Sequence, residues 1–305
     1  MVHYKTISEW FKAWRITGPE HPLIGAFSVD VVRTIRHGES FSSFCDFYCI
    51  AIKRVTGGED LHLKYGQQSY DFNEGVMSFI APGQVVSLSA DKDIEVSQKG
   101  WYLVFHPDLL WNSSMASTIK KFDFWDYSVN ESLFISAKEE EIIIGILENI
   151  HRETHANIDK FSKQIILSQL ESLLNYAERF YNRQFITREK ANHKILERLE
   201  KELSNYLNSD LPTIKGLPTV NDLASLLHTS PKYLSSLLKL HTGQSTQHYI
   251  HEKLIEKAKE KISTSDLSMS EIAYQLGFEH LQSFSRLFKA KTNLSPLAFR
   301  QRFQN

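Results

Sequence analysis

Two short stretches in the last third of the chain carry side chains suited to phosphate and base contact. Lys232, Ser235, Ser236 and Lys239 form one set; His280, Leu281, Gln282, Ser283, Arg286 and Lys289 form the other. Steps of three and four residues place most of each set on one side of a helix. A lysine is a compact point charge for phosphate, an arginine bonds guanine bidentately, and a glutamine suits adenine or a phosphate. An outward leucine meets a thymine methyl or simply packs. Lysines and serines on a helix face are also ordinary solvated groups, so the elements that carry them decide what they do.

Elsewhere the candidate chemistry is thin. Cys45 and Cys49 are the two cysteines, and their spacing fits neither a disulfide framework nor a Cys-x-x-Cys redox or zinc motif. On one strand they would share a face as small buried thiols. His151-Arg-Glu-Thr-His155 puts two histidines on one helix face, but the zinc-protease pattern needs its glutamate directly after the first histidine, and Glu153 stands elsewhere. No Gly-rich phosphate loop and no G-x-S-x-G elbow occurs. The expectation is no catalytic residue, no metal and no cofactor.

The first polar set sits in a pair of short helices. Thr219-Val-Asn-Asp222 reads as a capped start, Leu223, Ala224 and Leu227 as an apolar face, and Ser230-Pro231 as the start of a second helix ending by Gly243. The second set repeats the arrangement. Ser268-Met-Ser-Glu271 is a capping box, Ile272, Ala273 and Leu276 form the apolar face, Gly277 supplies the turn, and residues 279–291 form the second helix. Each pair is a helix-turn-helix. Leu234, Leu237 and Leu238, then Phe284, Leu287 and Phe288, point to the core. A helix over 245–262 joins the units; its roughly 27 Å length approaches the ~34 Å between major-groove turns on one face of DNA.

Upstream, residues 26–106 read as short strands, with Phe44 to Val55 as one and Leu61, Leu63 and Tyr65 as the buried side of another. From about Ser136 the period becomes helical, predicting helices over 137–155 and 159–184, then 192–207, with a connector over 209–218. Such a stripe buries itself against the strands or against a second copy.

The 305 residues suit two or three domains, and 42% hydrophobic with 23% charged residues excludes wholesale disorder. A net charge of −1 argues against a nucleic-acid partner only as an average. Residues 216–305 hold 11 Lys/Arg against 7 Asp/Glu, leaving 24 against 29 elsewhere. Residues 1–25 lack a signal-peptide pattern, and the densest apolar run, Ile142 to Leu147, is too short for a bilayer. A soluble cytoplasmic protein is expected.

Ala273-Tyr-Gln-Leu-Gly-Phe-Glu279, Phe284-Ser-Arg-Leu-Phe-Lys289 and Asn293-Leu-Ser-Pro-Leu-Ala-Phe-Arg300 resemble the signature of the AraC/XylS family of bacterial transcription regulators, and Ser230-Pro-Lys-Tyr-Leu234 with Thr242-Gly243 matches its first unit. The resemblance covers about 192–303. It departs at Asn293, where glycine is usual, and at Ser236 and Leu238, often basic and aromatic. The first helix is thus expected to hold phosphates through Lys232 and Lys239, with weaker sequence readout. Faintly, Gly58 to Lys64 and Gly75 to Gly83 resemble cupin motifs. A second metal-binding histidine would fall at Lys64 and another ligand near Val85 or Val86, so a metal-free barrel is expected, with His62 on a strand surface.

The resemblance implies an α+β multidomain protein: an N-terminal cupin-like β-barrel with flanking helices and a C-terminal all-α double helix-turn-helix domain. The expected divisions are 1–135 for the effector domain, 136–187 for helical dimerisation and linkage, and 188–305 for DNA binding. It implies a sequence-specific, non-enzymatic regulator with double-stranded promoter DNA, RNA polymerase, a small-molecule effector and a second copy as partners, and no membrane. The alternatives are a constitutive DNA-binding dimer without effector and a cupin-type enzyme fused to a DNA-binding domain.

Overall fold

The computed structural model describes residues 1–35, 40–56, 75–89, 94–128, 131–157, 159–187 and 189–302. The motif readings at Gly58 to Lys64, including His62, and at Leu61, Leu63 and Tyr65 lie outside them. The chain forms two compact units, Met1–Thr187 and Arg188–Asn305.

The N-terminal unit runs β1 (Val2–Tyr4), α1 (Ile7–Ala13), β2 (Ile24–Ile35), β3 (Ser40–Cys45), β4 (Tyr48–Thr56), β5 (Gly75–Ile80), β6 (Val86–Ser89), β7 (Ile94–Phe105), α2 (Met115–Thr118), β8 (Leu133–Ile135), α3 (Ala137–His155) and α4 (Ser162–Thr187). One sheet has the order β2-β7-β4-β5-β8 and the other β1-β3-β6. The larger sheet is antiparallel throughout, and β2 pairs with β7 from Ile24↔Phe105 to Ile35↔Ile94. In the smaller, β1 runs parallel to β3 and β6 antiparallel. Among the described residues neither sheet closes into a barrel, so the barrel expectation narrows to a two-sheet α+β unit.

Period-two alternation sorts the large sheet. Ile24, Ala26, Ile50, Ile52, Leu103 and Phe105 are buried on the side where α3 packs with its own Ile143, Ile146, Leu147 and Ile150 stripe. On the opposite side Tyr4, Ile7, Trp10 and Phe11 cover Phe47, Cys49 and Val104. The end strand β8 is stitched to α4. Gln184 accepts from Phe134 N (2.7 Å) and donates to Ser132 O, Tyr181 donates to Glu131 O, and Arg183 donates to Phe134 O (2.7 Å). Arg183 also meets both oxygens of Glu139, the capping-box acid of α3. A strand edge is thereby paired, leaving its amides and carbonyls satisfied.

The single strand expected over Phe44 to Val55 breaks at Asp46 and Phe47. Asp46 N donates to Tyr4 O, the Asp46 carboxylate sits 2.8 Å from His3 Nε2, and Phe47 turns fully inward. Cys45 and Cys49 therefore end and begin different strands, as free thiols. Burial pushes each thiol up to about 12, with Asp46 adding to Cys45.

The C-terminal unit is all-α: α5 (Glu189–Asn208), α6 (Leu211–Lys215), α7 (Val220–Leu227), α8 (Pro231–Thr242), α9 (Thr246–Thr264), α10 (Met269–Gln275), α11 (Leu281–Thr292) and α12 (Pro296–Gln301). The connector expected over 209–218 holds α6, which Pro212 near its start permits and Gly216 (φ +84°) ends. Leu199, Leu203, Leu223, Leu227, Leu234, Leu238, Ile250, Leu254, Ala258, Ile262, Ile272 and Phe284 share one core. The buried stripe of α9 runs through its middle, and α5, α8, α10, α11 and α12 all pack on this helix.

Candidate nucleic-acid interface

Local chemistry builds both helix-turn-helix units alike. Thr219 and Asp222 close a capping box on α7, and Ser268 and Glu271 close one on α10. The cap bonds hold the Asp222 and Glu271 carboxyls below their ordinary range, the Thr219 and Ser268 donors being the first cause in each. Each turn then needs a left-handed residue. His228 (φ +56°) and Gly277 (φ +89°) supply it, followed by matching bonds from Thr229 N to Ala224 O and from Phe278 N to Ala273 O, both 3.0 Å.

Gly277 answers a second demand. A Cβ there would lie 2.6 Å from the carbonyl carbon of Gly216 and 2.9 Å from Leu217 N. The turn of the second unit thus rests on the residue that ends α6. Asn293, standing where the resemblance expects glycine, adopts φ +59° and caps α11.

The second helices, α8 and α11, are both 12 residues long and begin 50 positions apart. Lys232, Ser236 and Lys239 therefore occupy the helical positions of Gln282, Arg286 and Lys289. Lys232, Lys239, His280, Leu281 (37%), Gln282, Arg286 and Lys289 are exposed, while Ser235, Ser236 and Ser283 are half-buried. Leu234, Leu237, Leu238, Phe284 and Phe288 are buried and Leu287 packs against the core. The two outward faces thus match in geometry and differ in chemistry, with a serine in the first where the second has an arginine. Ser235 is partly committed: its hydroxyl donates to Pro231 O (2.8 Å) and lies 3.2 Å from Thr246 Oγ1, tying α8 to α9.

Two cations near these faces serve the scaffold, which the sequence reading did not foresee. Arg300 donates to Ile262 O and to Leu267 O (2.7 Å), satisfying carbonyls around the end of α9. Lys291, in the last turn of α11, sits 2.8 Å from His248 Nε2. The regular three- and four-residue spacing that marks a surface face does not reveal such long-range partners.

In the N-terminal unit, the His151 and His155 rings lie with centroids 4.0 Å apart, tilted by 44°, and each Nδ1 meets a backbone carbonyl, of Ala26 and of His151. Among the described residues no group of three or more His, Cys, Asp or Glu side chains is placed to hold a metal. No helix among them is long and apolar enough to cross a membrane.

A helix-turn-helix domain family matches residues 223–302. The chain is 26% identical over 282 residues to the uncharacterized HTH-type transcriptional regulator YfiF of Bacillus subtilis (strain 168), covering 89% of this chain and 80% of that protein. It is 35% identical over 83 residues to the raffinose operon transcriptional regulatory protein RafR of Pediococcus pentosaceus, covering 27% of this chain and 30% of that one. Among solved structures, the C-terminal domain of the response regulator yesN from Fusobacterium nucleatum subsp. nucleatum ATCC 25586 is 32% identical over 36% of this chain and 98% of its own, with a TM-score of 0.30.

Paired helix-turn-helix units with outward polar faces, on a chain similar to a transcriptional regulator along most of its length, define a DNA-binding transcription regulator. The recognition-helix and turn motifs sit inside the matched domain, each in the structural role its residue type suits. Residues 223–302 thus form a helix-turn-helix domain of the AraC type.

Proposed function

We propose that this regulator binds promoter DNA sequence-specifically, and that its two units divide the work. The second unit reads bases through Arg286 and Gln282, helped by His280, Leu281, Ser283 and Lys289. The first positions the protein through Lys232 and Lys239, with Ser235 and Ser236 as minor contacts. The observation that carries this is the matched pair of faces, in which Arg286 and Gln282 stand where Ser236 and Lys232 stand in the first unit. Arginine and glutamine offer planar, paired groups for bidentate base contact; serine does not, and lysine is a flexible point charge that suits a phosphate as well as guanine. Fluorescence anisotropy against DNA upstream of candidate target genes tests it. Salt-sensitive binding that prefers particular fragments is expected. Absence of binding to every fragment at low salt, with candidate effectors supplied, overturns it.

The same reading gives residues 188–305 to DNA, 136–187 to dimerisation and linkage, and 1–135 to a metal-free, cupin-like sensing unit without enzymatic activity. The bound regulator would act on RNA polymerase as a homodimer. An effector acts by binding one arrangement of the protein more tightly than another. A compound that raises the thermal midpoint and changes DNA affinity supports sensing. Stoichiometric iron, manganese or zinc in the purified protein would count against the metal-free reading.

A further inference from the structure

We infer that the last turn of α3 binds a late first-row divalent metal ion, chelated by His151 and His155 with the Glu20 carboxylate close by. The inference stands apart from the DNA-binding and sensing readings, and it uses none of the cupin positions.

The chelate follows from the hydrogen bonds. His151 Nδ1 lies 2.6 Å from Ala26 O on β2, and His155 Nδ1 lies 2.7 Å from His151 O. A carbonyl oxygen only accepts, so each Nδ1 carries a proton. In the neutral imidazole this makes Nε2 the lone-pair nitrogen of both rings, which is the ligating form. Metal-bound histidines are held in the same way, with the other ring nitrogen donating to a carbonyl or carboxylate. The two residues are one helical turn apart, so both rings leave one face of α3, and their centroids are 4.0 Å apart. Trp101 on β7 backs the His151 ring edge-on, with centroids 5.9 Å apart and 78° between the planes.

The surroundings favour a positive ion. Glu20 Oε1 lies 3.8 Å from His155 Nε2. A carboxylate facing a lone-pair nitrogen is two acceptors without a donor, and a cation between them satisfies both. His151 and His155 also close α3, where the helix dipole is negative. His155 and Glu20 are exposed and His151 is half-buried, so an ion can enter and keep water on its other positions. Imidazole nitrogens select Cu²⁺, Ni²⁺ or Zn²⁺ over Mg²⁺ and Ca²⁺, which take oxygen ligands. Two nitrogens and one more distant oxygen make an open site, not the four-ligand cage of structural zinc. The glutamate missing after His151 is the general base of the zinc proteases. Chelation does not need it, and no hydrolysis is implied.

The test titrates the EDTA-treated 305-residue protein with Cu²⁺ and with Zn²⁺ by calorimetry. Saturable binding of one ion per chain is expected, with Cu²⁺ the tighter and its EPR spectrum split by nitrogen. Zn²⁺ should raise the thermal midpoint of the unaltered protein and Mg²⁺ should not, a comparison that needs no variant. His155→Ala should weaken both ions by about tenfold or more, since losing a ligand costs at least as much as losing a ligand's partner. Glu20→Gln should weaken them less. His248→Ala removes a similarly exposed histidine beside a carboxylate and should leave binding as it is. Affinity unchanged in His155→Ala, or weakened as much by His248→Ala, means an adventitious ion only and overturns the inference. So does a Zn²⁺ midpoint no higher than the Mg²⁺ one. Metal that the purified protein carries and His155→Ala loses upholds the site and leaves the metal-free reading of residues 1–135 standing. Metal that persists in the variant overturns the site and counts against that reading.

Discussion

Arg286 and Ser235 make different predictions, although both lie on recognition-helix faces. Arg286 is exposed one turn into α11. Arg286→Ala should weaken binding to a specific fragment by ~1–3 kcal/mol and relax discrimination at one base pair, checked by anisotropy against single-base variants. Ser235 spends its hydroxyl within the domain. Ser235→Ala should weaken DNA binding far less than Arg286→Ala does, as a minor contact, and lower the thermal midpoint slightly. The thiols give a residue-scale test in the other unit. With Cys45 and Cys49 both pushed up to about 12, almost none is thiolate at pH 8. Iodoacetamide should leave both unmodified in the native protein and alkylate both once it is unfolded in urea, as read by mass spectrometry.

The elements stand on their caps and turns. Thr219→Ala should cost about 1 kcal/mol in urea unfolding by removing the α7 cap. The depressed Asp222 and Glu271 carboxyls lend stability that is complete above the unfolded carboxylate range, and it is lost as pH falls through about 4 and below. Gly277→Ala should cost about 2 kcal/mol or more, because it meets both a left-handed φ and the Gly216 backbone. Half of that cost was legible in the sequence: a turn glycine between two apolar faces announces a positive φ. The contact with Gly216 was not, because 61 positions separate the two residues. The same distinction runs through the chain. The capping boxes at Thr219 and Ser268 are local, and they located α7 and α10 closely. The break at Asp46 depends on Tyr4 and His3, and the β8 edge depends on side chains of α4. Thr6 and Glu9 form another capping box, on α1, whose four-residue pattern was present but lacked the long apolar period that marks a helix. Of the candidate interface, the outward positions of α8 and α11 followed from spacing, whereas the internal duties of Ser235, Arg300 and Lys291 did not.

At the scale of the molecule, 11 basic against 7 acidic residues over 216–305 is a modest excess for grasping a polyanion. Binding should therefore steepen with the number of domains engaged, and a homodimer should hold DNA far more tightly than one chain. Lys232→Ala should lower the slope of log affinity against log salt by about 1 and weaken all fragments alike, the signature of a lost phosphate contact. The 19 residues of α9 set the stride of each chain. This helix is about 28 Å long, and its stripe of Ile250, Leu254, Ala258 and Ile262 is packed along its whole length. One added residue would swing everything beyond it by about 100° and turn that stripe out of the core. The protein therefore cannot adjust its stride in small steps to suit a differently spaced operator. Where two half-sites fall out of phase with it, the DNA must bend or twist to meet the protein, and promoter strength becomes partly a matter of how compliant the intervening base steps are.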